Sequence, residues 1–128
     1  MGFFQSLFSD ADDNKLKEVR RDGNTVFFRG KGVKTSHANT VMEYLYRKEF
    51  FRPDSAMNFL LYTDSDFKDE VNIGYLGDVA VVDEDVKKLL FDLFSPLHIL
   101  FPNRKIAITM IGLEFEETLR LGYAEKPI

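Results

Sequence analysis

A chain of 128 residues, 45% of them hydrophobic, has the length of one domain and enough apolar surface to bury a single core. It contains no cysteine, which excludes disulfides, thiolate metal sites and cysteine catalysis, and fits a reducing compartment, so a cytoplasmic location is expected. The net charge of -4 argues against nucleic acid as a partner, because such a protein needs a basic footprint to release counterions from phosphates. No apolar run approaches the roughly 18 residues that cross a bilayer, and the start Met1-Gly2-Phe3-Phe4-Gln5 lacks the basic and long apolar regions of a secretory signal, so no membrane partner is expected.

Along the chain, Phe3, Phe4, Leu7 and Phe8 stand at helical spacing, and Ser9 to Asn14 is polar and acidic. Residues 1–14 therefore read as an amphipathic segment and linker, and residues 15–128 as one domain. Leu16 to Arg21, the pair Asp22-Gly23 and Asn24 to Arg29 form a candidate hairpin, since Asp-Gly accepts the positive φ angles of a tight type I′ turn. Ser36 is placed to cap a helix whose inner face is Ala38, Val41, Met42 and Leu45, and Pro53 predicts its end near Phe51. Met57 to Thr63 is short and nearly all apolar, as in a strand buried on both faces. Val71, Ile73 and Tyr75 alternate with Asn72 and Gly74 in a further strand, which Val79 to Val82 could extend. Asp83 or Asp85 opens a second helix with Val86, Leu89, Leu90, Leu93 and Phe94 inward, ended or kinked by Pro96. Ile106 to Ile111 is the last predicted strand, and Phe115, Leu119 and Leu121 predict a short terminal helix.

This order predicts an α+β sandwich of the ferredoxin-like β-α-β-β-α-β kind, its mixed or antiparallel sheet carrying both helices on one face, with a hairpin arm before it. If Phe59, Leu61, Ile73 and Tyr75 face the helices, then Leu60, Tyr62 and Leu76 point the other way and need another cover. The candidates are the C-terminal segment around Phe115 and Leu119, the N-terminal segment with Phe3 and Phe4, or a second copy of the chain. The tail is short for the whole face, so a homodimer built around Leu60 and Tyr62 is expected. The adjacent pairs Phe27-Phe28 and Phe50-Phe51 likewise predict rings left exposed unless a partner buries them.

No catalytic set accompanies this pattern. His37 and His98 belong to no metal-binding spacing, no serine lies in a Gly-x-Ser-x-Gly elbow, and the two acidic stretches fail the calcium-loop pattern, so neither a metal nor another cofactor is expected. The glycines of Arg29-Gly30-Lys31-Gly32-Val33-Lys34 read as turn-makers, with anion binding before the helix as the lesser alternative. Asp64, Asp66, Asp69 and Glu70 form a solvated acidic turn that could steer a basic partner.

The helix from Val41 to Phe50 feeding the strand Met57 to Tyr62, a strand ending near Asp78 and the acidic-start helix Asp83 to Phe94 together form a pattern. With the Leu100-Phe101-Pro102 turn, the strand Ile106 to Met110 and a short Leu119-containing helix before the terminal Lys126-Pro127-Ile128, the stretch Val33 to Ile128 resembles the C-terminal domain of the bacterial SseB, or enhanced serine sensitivity, proteins. Members of that family often end in Pro-Phe-Tyr, where this chain has Pro127-Ile128. The resemblance implies a non-catalytic cytoplasmic protein. The expected function is therefore a small non-enzymatic interaction module, using Leu60, Tyr62, Leu76, Phe3 and Phe4 to hold a protein partner or itself. The alternative is an acidic immunity-type or inhibitor protein that neutralises a basic partner through Asp64, Asp66, Asp69 and Glu70.

Overall fold

The computed structural model describes residues 15–63, 70–77, 83–102, 104–124 and 126–127. The expectations for Phe3 and Phe4, for Asp64, Asp66 and Asp69, and for a strand extension over Val79 to Val82 lie outside the described residues. The predicted hairpin forms as β1 (Lys17–Arg21) and β2 (Asn24–Arg29), with Arg21 opposite Asn24. Asp22 and Gly23 take φ angles of 53° and 86°, the two positive values that a type I′ turn demands.

Helix α1 (Thr35–Arg47) buries the predicted stripe of Ala38, Val41, Met42 and Leu45. It starts two residues earlier than a Ser36 cap would allow, because His37 Nδ1 accepts the Lys34 backbone N–H at 3.1 Å and does the capping instead. It also ends well before Pro53. Glu49 turns to a φ of 60°, and the Phe50 N–H reaches back to the Leu45 carbonyl, closing the last turn before the proline can act. Strand β3 (Asn58–Tyr62) follows, buried on both faces at Phe59, Leu60 and Leu61, and β4 (Glu70–Leu76) pairs with it antiparallel.

Helix α2 (Glu84–Phe94) is capped by the Asp83 carboxylate, which accepts the Val86 N–H at 2.9 Å, and acidic Glu84 and Asp85 sit in its first turn. Leu90, Leu93 and Phe94 point inward as expected, whereas Leu89 is 51% exposed. Pro96 tightens the chain into a 3-10 helix (Ser95–Leu100) before β5 (Lys105–Ile111). The predicted terminal helix is instead a strand, β6 (Glu117–Tyr123), followed by the two-residue β7 (Lys126–Pro127). Leu119, Leu121 and Tyr123 alternate with Thr118, Arg120 and Gly122, and that period of two outweighs the looser helical spacing from Phe115.

The architecture is α+β with one mixed sheet, but its strands stand in chain order, β1-β2-β3-β4-β5-β6-β7, and not in the interleaved order of a ferredoxin-like unit. A buried side chain helps to bring β3 directly beside β2. Asn24, with no exposed surface, donates to the Tyr46 hydroxyl at 3.0 Å and the Arg52 carbonyl at 2.7 Å. Its oxygen accepts the Ser55 hydroxyl at 2.6 Å and the Met57 N–H at 2.9 Å. The amide is saturated, and it ties the first residue of β2 to the segment that leads into β3.

The parallel pairs β2·β3 and β4·β5 flank the antiparallel pair β3·β4. Both crossovers step the same way across the sheet, but along opposite strand directions, so two right-handed crossovers would place the helices on opposite faces. They share one face instead: the Tyr44 hydroxyl of α1 donates to the Leu93 carbonyl of α2, and Phe51 and Phe94 both pack on Phe59. One crossover is therefore left-handed, against the strong general preference.

Replacing Asn24 with alanine leaves the Met57 N–H and the Ser55 hydroxyl without their buried acceptor. The variant is expected to lose about 2–3 kcal/mol in urea unfolding with an unchanged denaturant slope. A loss below about 0.5 kcal/mol, typical of a surface change, would show that the saturated amide does not hold the β2–β3 junction.

Candidate functional site

Because the helices share one face, the other face of the sheet is closed by side chains and by one turn. Gly74 of β4 lacks the carbon that would stand 2.1 Å from Ile111 Cγ1, so the Ile111 side chain lies across the strand at that point. Leu60, the β3 partner of Gly74, has no exposed surface. The turn between β5 and β6 adds a lid. Its Gly112 N–H bonds the Glu116 carbonyl at 2.9 Å, and Phe115 extends past β4 and β3 to set its ring edge-on to Phe27 of β2, with centroids 5.0 Å apart. The Arg29 guanidinium holds the Phe115 carbonyl at 3.0 Å.

These contacts correct the expected interface. Leu60 is buried within its own chain, and among the described residues the wide apolar face on which the homodimer expectation rested is not exposed. Phe115 takes the covering role foreseen for the tail, while Leu119 packs against the core on the helix side. The paired phenylalanines are also covered from within: Phe28 and Phe51 are buried, Phe27 meets Phe115, and Phe50 packs on Phe59.

Beside this lid the face carries a polar network centred on Arg120 of β6. Its Nη1 donates to Glu70 Oε2 at 2.8 Å and the Tyr123 hydroxyl at 3.2 Å, and its Nη2 to Asn72 Oδ1 at 3.1 Å and Glu117 Oε1 at 2.9 Å. The Tyr62 hydroxyl donates to Glu117 at 3.1 Å and stands 3.2 Å from Thr109 Oγ1, and Tyr123 donates to the other Glu70 oxygen at 2.5 Å. β-bulges in the β5–β6 register bring Arg120 opposite Thr109, which places its guanidinium over β4. Burial alone would raise the Glu70 carboxyl, but the hydrogen bonds from Tyr123 and Arg120 and the charges of Arg120 and Lys105 outweigh it and lower its pKa. Burial pushes the Tyr62 hydroxyl well above the usual tyrosine range, so it stays a neutral donor.

Of the interaction residues read from sequence, Tyr62 and Leu76 are half-buried on this face. Glu70, read there as a steering carboxylate, is almost fully buried and is held inside the fold by Arg120 and Tyr123. Arg120, Glu117 and Tyr123 were missed because a terminal helix was read where β6 lies; the alternation over Glu117–Tyr123 was the available signal. His37 packs its ring on Phe101 at 4.4 Å, and burial, then the positive Lys34 and Arg104, lower its pKa, so it remains a neutral cap acceptor. Among the described residues, no group of three or more His, Asp or Glu is arranged to hold a metal ion, and no helix is long and apolar enough to cross a membrane.

The lowered Glu70 pKa fixes the sign of its pH dependence. Its stabilisation is complete above the ordinary carboxyl value near 4.5 and is lost as pH falls through the lower folded value. Glu70→Gln is expected to cost about 2 kcal/mol at pH 7, between the loss of one charge-assisted hydrogen bond and the rupture of a fully buried pair. The gap from wild type should close in unfolding curves as pH falls from 4.5 through the lower folded value, where the native carboxylate is also discharged. A gap that is constant with pH would remove the charge from the account. Comparison of the chain with family models, with curated proteins and with solved structures gave no match.

Proposed function

We propose that this chain is a non-enzymatic, cytoplasmic protein-interaction module that engages a protein partner through the sheet face opposite its helices. One observation carries the reading: the Arg120 network, with Tyr62 and Tyr123 in it and Leu76 on the same face, stands preassembled there, with neither described helix over it. Tyrosine and arginine are the residues that most often dominate contact energy between proteins, and side chains already fixed by internal bonds need little further ordering on binding. The partner that fits is a hydrogen-bonding, mixed polar surface, because the large apolar side chain at the centre of the face, Leu60, is sealed.

A photo-crosslinking phenylalanine analogue placed at Leu76 in the native host should give a discrete adduct with a partner protein. The same analogue at Leu89, exposed on α2, should give none, and Arg120→Gln should abolish the Leu76 adduct while far-UV circular dichroism shows the fold retained. Equal adducts from both positions would overturn the proposal. An adduct of two copies of this chain would name the partner as a second copy.

A further inference from the structure

The start of β5 forms one wall of a cleft of about 300 Å³, lined by His98, Pro102, Arg104, Lys105, Tyr123 and Ala124 together with Ile106. Among the described residues that line it there is no carboxylate, although the chain as a whole carries a net charge of -4. Arg104 and Lys105 bring two positive charges to it. No ion pair holds either of them among the described residues, although Lys105 lies close enough to Glu70 to help lower that carboxyl's pKa. The Arg104 guanidinium is half-buried, and its Nη1 is shut off from solvent with no hydrogen-bond partner. Arginine cannot relieve that situation by losing its proton.

Two contacts hold the charges in place. The Arg104 guanidinium lies against Gly32, where a Cβ would stand 2.9 Å from Nη2 and 3.0 Å from Nη1, so the glycine is the room it occupies. Lys105 Nζ rests 5.7 Å from the centroid of the Tyr123 ring, which is itself fixed by its hydroxyl bond to Glu70. The volume exceeds that of a bare inorganic ion and falls at the lower end of the range for small-molecule pockets. Pro102, Ile106 and Ala124 add an apolar wall beside the cations.

We propose that this cleft binds a small organic oxyanion, a carboxylate or phosphate group on a compact apolar body, with Arg104 and Lys105 neutralising the charge and Tyr123 flanking the body. The argument does not need the sheet-face reading, because it rests on the cleft and on two cations that no described ion pair holds.

Phenyl phosphate and benzoate distinguish the two headgroups on one apolar body. Each should be titrated into the full chain at constant ionic strength, with sodium chloride as control, and followed by backbone amide shifts in two-dimensional NMR. The expected result is saturable binding of at least one probe at or below about 1 mM, with shifts concentrated at residues 104–106 and 123–124. Arg104→Gln and Lys105→Gln should each weaken it roughly tenfold or more, as for a lost charge-assisted contact. The probe that binds more tightly names the headgroup. Absence of saturation by either probe at 10-fold that concentration, or binding unchanged in both variants, overturns the proposal. Should Arg104→Gln fail to fold, the exposed Lys105 position decides alone: unchanged affinity in Lys105→Gln overturns the site, and a roughly tenfold loss sustains it.

Discussion

The structure depends on the packing around one ring. Phe59 sits at the middle of β3 with no exposed surface, and the rings of Phe50, Phe51, Tyr75 and Phe94 surround it with centroids 5.2–5.8 Å away. Those four come from the segment after α1, from β4 and from the end of α2. A single aromatic cluster therefore draws both helices to the same side of the sheet. Edge-on and tilted rings at these distances add to the burial of their large surfaces, so separating either helix from the cluster would open the centre of the core. The cost accepted in exchange is topological: with strands in chain order, one of the two crossovers must turn left-handed.

Helices gathered on one face leave the other to be closed by different means. The fold does so without a further layer among the described residues. A glycine in β4 lets Ile111 lie across the strand, a turn carries Phe115 across to Phe27, and an arginine on an outer strand reaches inward to a carboxylate. The first two devices seal the apolar centre, and the third leaves a satisfied polar surface beside it. A face built in this way resists the indiscriminate self-association of an open apolar sheet while keeping ordered tyrosine and arginine groups within reach.

Tyr123 connects the two features that concern function. Its hydroxyl belongs to the Arg120 network, and its ring forms part of the cleft beside Lys105. Lys105 stands directly opposite Glu70 in the β4–β5 register and helps to keep that carboxylate ionised. The cationic cleft and the polar face are thus adjoining regions of one β4-β5-β6 surface, joined by charges that lie close enough to act on each other.

What the sequence determined by itself is local. The Asp22-Gly23 turn follows from φ preferences, the buried stripe of α1 from a period of 3.6, the Asp83 cap from a carboxylate within reach of free N–H groups, and the double-sided burial of β3 from an unbroken apolar run. Each needs only neighbours a few residues away. What the tertiary structure decided rests on contacts between distant parts of the chain. These are the chain-order sheet, the sealing of Leu60, and the pairing of Arg120 with Glu70 and Asn72. Residues 117–123 carry both readings, since a weak helical spacing and a strand alternation coexist there until pairing with β5 supplies the hydrogen bonds that select the strand. Local preference differs by less than the free energy of a filled ladder, and so the neighbouring strand has the last word.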